Sequence, residues 1–193
     1  MAQDNIFSVV CPTDCTSTWI AIEDLNPACA GPLAKSEVNY LYMMLPETGV
    51  GPADWTDPAA WATVIDNSDT TGVKVKALPV VGNVPAEERA DIPLSNGFVA
   101  KGDGTFTLTA KIQPLTAGLY DWLRSLQCPG TSLPKFWFTD RGGNMFGKDV
   151  VGIQAKSVAV NFILEEGDES YEYANIILVW EAATFPDRIV SPI

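Results

Sequence analysis

The stretch KSVAVNFILEEGDESYEYANIILVW, residues 156–180, decides the fold. It contains two apolar runs joined by an acidic hinge. In the first, Val158, Val160, Phe162 and Leu164 point one way with Ile163 opposite. In the second, Ile176, Leu178 and Trp180 oppose Ile177 and Val179. A period of two is the signature of a strand, so the stretch is expected to be a long β-hairpin. Glu165, Glu166, Asp168, Glu169 and Glu172 crowd its turn, and no Lys or Arg occurs from Ser157 to Asp187. A lone two-stranded hairpin is marginal in water, and open strand edges invite pairing. Because both faces are apolar, both need cover. A helix of the same chain serves one face, and a second copy of the chain is the economical partner for the other. Val158, Val160, Phe162, Ile176, Leu178 and Trp180 are then the candidate inter-subunit strand residues. Head-to-tail contacts of that kind close into rings.

Working outward, the same period governs the chain from Gly72 onward. In GTFTLTAKI (104–112), Phe106, Leu108, Ala110 and Ile112 face one way while Thr105, Thr107, Thr109 and Lys111 face the other. VKVKALPVV (73–81), KFWFTD (135–140) and MFGKDVVGI (145–153) read as further strands. Asn96-Gly97, GDG (102–104) and RGGN (141–144) supply turn chemistry between them. One segment departs from the period. LTAGLYDWLRSLQ (115–127) spaces Leu115, Leu119, Trp122, Leu123 and Leu126 by three and four, which makes a helix with one apolar face that ends at Cys128-Pro129-Gly130. The expected fold is mainly β: an antiparallel β-sandwich or barrel with one flanking α-helix.

Residues 1–72 differ in texture. Pro12, Pro27, Pro32, Pro46, Pro52 and Pro58 recur among small and polar residues, which reads as a Pro-rich N-terminal arm or extension of the same domain, with residues 73–193 as the core. Within it, SEVNYLYMML (36–45) is expected to be a strand entering the core. DPAAWATVIDN (57–67) is expected to form one or two helical turns, with Asp57 as N-cap and Pro58 at the first helical position.

The 193 residues fit one core, and 47% hydrophobic content suffices to fill it. No apolar run approaches the ~20 residues that span a bilayer, and the start MAQDNIFSVVCPTDC has neither basic region nor apolar run of a signal peptide, so a cytoplasmic origin and no membrane partner are expected. Cys11, Cys15, Cys29 and Cys128 are then reduced thiols. A formal charge of −12 opposes tight nucleic-acid binding, which draws its affinity from Lys and Arg. It suits a protein that lies close to DNA without adhering to it.

Several patterns imitate chemistry. GGNMFGKD (142–149) matches G-x-x-x-x-G-K, but Asp149 stands where a magnesium-holding hydroxyl belongs and the flanks are strands, so it reads as a hairpin turn. Cys11, Cys15, Cys29 and Cys128 lack the paired short spacing of zinc sites, and no histidine replaces a sulfur. The lack of histidine also removes Ser-His-Asp and Cys-His catalysis. Carboxylate pairs such as Glu165 and Glu166 arise by chance among 24 acidic residues. DNSDTTG (66–72) begins like a calcium loop yet lacks Gly at its sixth position. No catalytic, cofactor or metal site is expected, and the chain reads as a non-enzyme. Of the tryptophans, Trp55 and Trp61 occupy a loop-like setting in which a ligand face is credible.

From about residue 73 to 180 the order of strands, then GTFTLTAKI, then the helix LTAGLYDWLRSL, then two aromatic strands, then VAVNFILEEGDESYEYANIILVW, resembles the tail tube (major tail) proteins of long-tailed bacteriophages. The resemblance covers a little over half of the chain. It implies a β-sandwich with one flanking helix that forms hexameric rings, whose inner strands join into a continuous barrel and whose stacking builds the genome conduit. It implies self-association, contact with other tail or virion proteins, DNA that passes without specific binding, and residence in the virion tail after assembly in the host bacterial cytoplasm. Under it, Glu165, Glu166, Asp168, Glu169 and Glu172 become candidate lumen or ring-seam residues, since an acidic wall repels a duplex carrying one phosphate charge per ~1.7 Å. Two other readings stand beside it: a head decoration or head-to-tail connector protein, and a carbohydrate- or surface-binding β-sandwich that uses Trp55 and Trp61.

Overall fold

The structure, a computed structural model, describes residues 37–45, 49–71, 73–93, 98–128, 133–164 and 172–193, all within one compact unit, Ser36–Ile193. It is mainly antiparallel β. The elements in chain order are β1 (Val38–Met44), α1 (Pro58–Val64), β2 (Lys76–Asn83), β3 (Glu88–Pro93), β4 (Val99–Ile112), α2 (Ala117–Ser125), β5 (Lys135–Asp140), β6 (Asn144–Gly147), β7 (Ile153–Gln154), β8 (Ser157–Ile163), β9 (Tyr173–Ala182) and β10 (Asp187–Val190).

All of the strands belong to a single sheet, ordered β10-β6-β5-β1-β2-β4-β9-β8, with β3 beside β4 and β7 beside β5. The sheet returns on itself. β7 pairs with β5 through Phe136↔Ile153, and β8, three residues further on, pairs with β9. Between them Ala155 N donates to Pro134 O and Lys156 N to Val179 O, so pairing passes from β5 to β9 without a gap. The result is a barrel-like sheet whose two sides meet at residues 153–157, while the far edge of β8 pairs with no described strand.

The interior follows the alternation. Phe106, Leu108, Ala110 and Ile112 of β4 are at most 1% exposed and meet Leu41 and Met43 of β1, Leu78 and Val80 of β2, and Phe136 and Phe138 of β5. Each fully buried Leu, Ile or Phe contributes about 1.5–3 kcal/mol of apolar transfer, so this interior supplies the main driving force. One end of the barrel is stopped by aromatic rings: Trp180 stacks on Phe106 at 5.3 Å between centroids and meets Phe136 edge-on at 5.5 Å. The other end is stopped by α2. Its Leu123 is fully buried, and Leu115, Leu119, Trp122 and Leu126 pack beside it, as their helical spacing requires. Thr116 caps this helix by accepting from Leu119 N at 3.3 Å.

A second cluster lies outside the barrel wall. Tyr42 and Met44 of β1 and Trp137 of β5 point away from the interior and are covered by Trp61 and Val64 of α1, with Val75 and Met145. α1 forms as its caps dictate, with Pro58 in its first turn and Asp57 accepting from Ala59 N at 2.9 Å. β1 therefore contributes to both clusters and α1 to the outer one, each packing with later strands.

Three sequence expectations are corrected. GDG (102–104) is no turn: β4 runs unbroken from Val99 to Ile112, and neither glycine has positive φ. A Cβ at Gly104 would come 3.0 Å from both the Phe106 ring and the Glu87 carboxylate, so glycine serves close approach here. MFGKDVVGI is two short strands split by a 3-10 turn at Asp149–Val151, and Gly152 takes φ 76° to re-enter the sheet. VKVKALPVV pairs as a strand only from Lys76, while Val75 makes an isolated parallel bridge with Ile65. The expected turn at Asn96-Gly97 lies outside the described residues.

Candidate assembly surface

Residues directly opposite each other in an antiparallel sheet share a face, so register fixes what the outside of β2, β4, β9 and β8 displays. One row reads Thr107, Val179, Ser157. The next reads Asn83, Thr109, Ile177, Ala159, and the next Val81, Lys111, Asn175, Asn161. Neither described helix covers these rows, since α1 packs over β1 and β5 and α2 over the barrel end. The face is hydroxyl, amide and small apolar in character. Its formal charges are held locally: Lys111 Nζ sits 3.7 Å from the Tyr173 ring centroid, and Glu181, beside Thr105, is ion-paired with Lys156.

The residues that sequence reasoning assigned to a partner copy are placed differently by the fold. Val160, Ile176, Leu178 and Trp180 are at most 3% exposed, and Val158 and Phe162 pack against the same interior. Their apolar side is thus covered by the chain itself. The opposite side of the hairpin, bearing Ala159, Ile177 and Val179, carries the outward rows. The helix also reaches the outer edge of β8, where Gln127 Nε2 donates to Val160 O. Tyr120 of α2 meets Phe162 at 4.4 Å between ring centroids. Glu172 is exposed at the start of β9, whereas Glu165, Glu166, Asp168 and Glu169 lie outside the described residues, as do Cys11, Cys15 and Cys29.

The chemical imitations resolve structurally. Gly147 and Gly152 flank the Trp137 indole, whose Nε1 donates to Asp149 O at 2.9 Å, so the G-x-x-x-x-G-K match serves ring packing. In DNSDTTG, Asp66 accepts from Ser68 N and Oγ, and Asp69 from Thr71 N and Oγ1 and from Lys74 N. Those hydrogen bonds hold both carboxyls below the usual range and turn them into the loop's own fastening. Trp61 is fully buried, donates Nε1 to Trp55 O at 2.9 Å and stands edge-on to Trp137, so Trp55 and Trp61 form no paired platform. Among the described residues no group of three or more His, Cys, Asp or Glu is placed to hold a metal ion. No described helix is long and apolar enough to cross a membrane.

Two features were not legible in the sequence. β3 and the first part of β4 form a ribbon that stands beyond the barrel, because β9 pairs with β4 only from Gly104 onward. At the opposite end, a groove of about 690 Å³ runs between α2 and the start of β2. Both arise from which strands pair over what length, and no local pattern encodes that. The chain matches no family model, no curated protein and no solved structure.

Proposed function

We propose that this chain is a structural, self-assembling virion protein, a subunit of the tail tube of a long-tailed phage. Copies associate side by side into rings, six-fold on the family resemblance, and the rings stack into the conduit through which the genome leaves. Other tail proteins are its further partners, and DNA passes without specific binding. The virion tail, assembled in the bacterial cytoplasm, is its place of action.

The observation that supports this reading is the largely polar outer face of β2, β4, β9 and β8, which neither described helix covers, on a sheet whose inner side is already filled. The interior is packed with buried side chains, while a four-strand face that neither described helix covers is material for a wall. Apart from Lys111, whose ammonium lies over the Tyr173 ring, Thr107, Thr109, Asn175 and Asn161 give passing phosphates only neutral groups, so few counterions are released and the duplex is weakly retained. On the family resemblance, the hinge carboxylates add repulsion over the ~8 Å reach of screened charge.

Negative-stain microscopy of the purified chain tests it. Rings or tubes are expected. A monodisperse monomer at high concentration would overturn the assignment.

A further inference from the structure

We infer that the C-terminal end of α2 guards the open edge of β8, so that Gln127 and Tyr120 hold off strand addition there until the helix end lifts. The inference is independent of the ring reading and concerns how a single copy protects its own sheet.

An open edge offers a row of main-chain donors and acceptors to any extended segment, including one from another copy. Among the described residues β3, β7, β8 and β10 each pair with one strand. Three of these blunt themselves. β3, ERADIP, carries Glu88, Arg89, Asp91 and Pro93; β10, DRIV, is four residues long with Asp187 and Arg188; β7 is two residues long. Charge, proline and short length are the devices that discourage edge pairing. β8, SVAVNFI, is seven residues long and has no charge, proline or glycine, the composition that enters cross-β structure most readily. Its protection has to come from outside the strand.

The helix provides it. Val160 O accepts from Gln127 Nε2, so this carbonyl faces α2 and not β9. Main-chain groups alternate sides along an antiparallel strand, so Val158 and Phe162 turn theirs to the same edge. Gln127 thereby occupies the central acceptor of the row that an added strand needs. Tyr120 meets the Phe162 ring at 4.4 Å between centroids and covers the next position of that row. Gln127 lies past the last residue of α2, Ser125, and is itself exposed, so its bond is the part of the guard that opens first.

Thioflavin T fluorescence over a concentration series tests this. Gln127→Ala removes the donor and is expected to lower about fivefold the concentration at which thioflavin-positive assemblies form, the factor set by one net hydrogen bond. Adding Ala159→Lys, at an exposed position of β8 where a charge blunts the edge, should return the threshold to the wild-type value. Gly147→Ala destabilises the fold at β6 without touching this edge, and it should not reproduce the drop. An unchanged threshold in Gln127→Ala, an equal drop in Gly147→Ala, or a double variant that associates as readily as Gln127→Ala would overturn the inference. Electron microscopy of the same samples separates the guard from the rings. Irregular aggregates of Gln127→Ala beside a monomeric wild type keep the guard and reject the rings, whereas wild-type rings with an unmoved threshold keep the rings and reject the guard.

Discussion

Trp137 shows how much of the chain's unusual local sequence serves one side chain. The ring is fully buried, and a Cβ at Gly147 would overlap it while one at Gly152 would approach to 2.9 Å. Gly147→Ala therefore overpacks a site with no slack and is expected to cost about 1–3 kcal/mol by urea unfolding. Combined with Trp137→Phe, the two costs should fall short of their sum, because the smaller ring gives the methyl room. Tyr42 is a second residue with a measurable signature. Burial pushes its phenol up to about 12, outweighing the lowering effect of the Thr139 hydroxyl. The unfolded phenol ionises near ~10, so the neutral form that folding selects stabilises the protein below that pH, and the benefit is lost as pH rises from there to the folded value. Thermal melts from pH 8 to 12 should show a fall that Tyr42→Phe lessens.

At the scale of elements, α1 was readable from its cap and α2 from its spacing because their signals are local, and the structure adds Thr116 as the cap of α2. Asp57-Pro58 and Thr116 act within one turn, and Leu119, Trp122, Leu123 and Leu126 lie on one face wherever the helix packs. Thr116→Ala is expected to cost about 1 kcal/mol, read as a lowered unfolding midpoint with an unchanged denaturant slope. β4 was harder. Its glycines imitate a turn, and only the neighbouring Phe106 ring and Glu87 carboxylate reveal that Gly104 is small because space is short. The closing hairpin was identified as two strands for the right physical reason, period two, yet period alone does not say which apolar face is inward. Pairing of β9 with both β4 and β8 decides that Ile176, Leu178 and Trp180 face the interior.

At the scale of the molecule, the barrel-like sheet has one side that neither described helix covers and two ends chemically unlike. If that side lines a conduit, placing cations on it should make the wall hold DNA. Thr107→Arg with Thr109→Arg is expected to give assemblies that retain duplex DNA at low salt and release it as salt rises. Wild-type assemblies should retain little in the same filter-binding assay. The response is argued at this scale because one Arg pair is weak, whereas repetition around a ring multiplies phosphate contacts.

The sequence by itself determined the antiparallel β class, the two helices with the cap of the first, and the half of each strand that is apolar, because these depend on period and on interactions within a few residues. Only the tertiary structure decided that Val38–Met44 sits between β2 and β5, that β7 and β8 bring the two sides of the sheet together, and that the hairpin's main apolar face is covered from within. Those outcomes depend on which distant strands pair and in what register, and the same alternation is compatible with many pairings until side chains compete to fill a single interior.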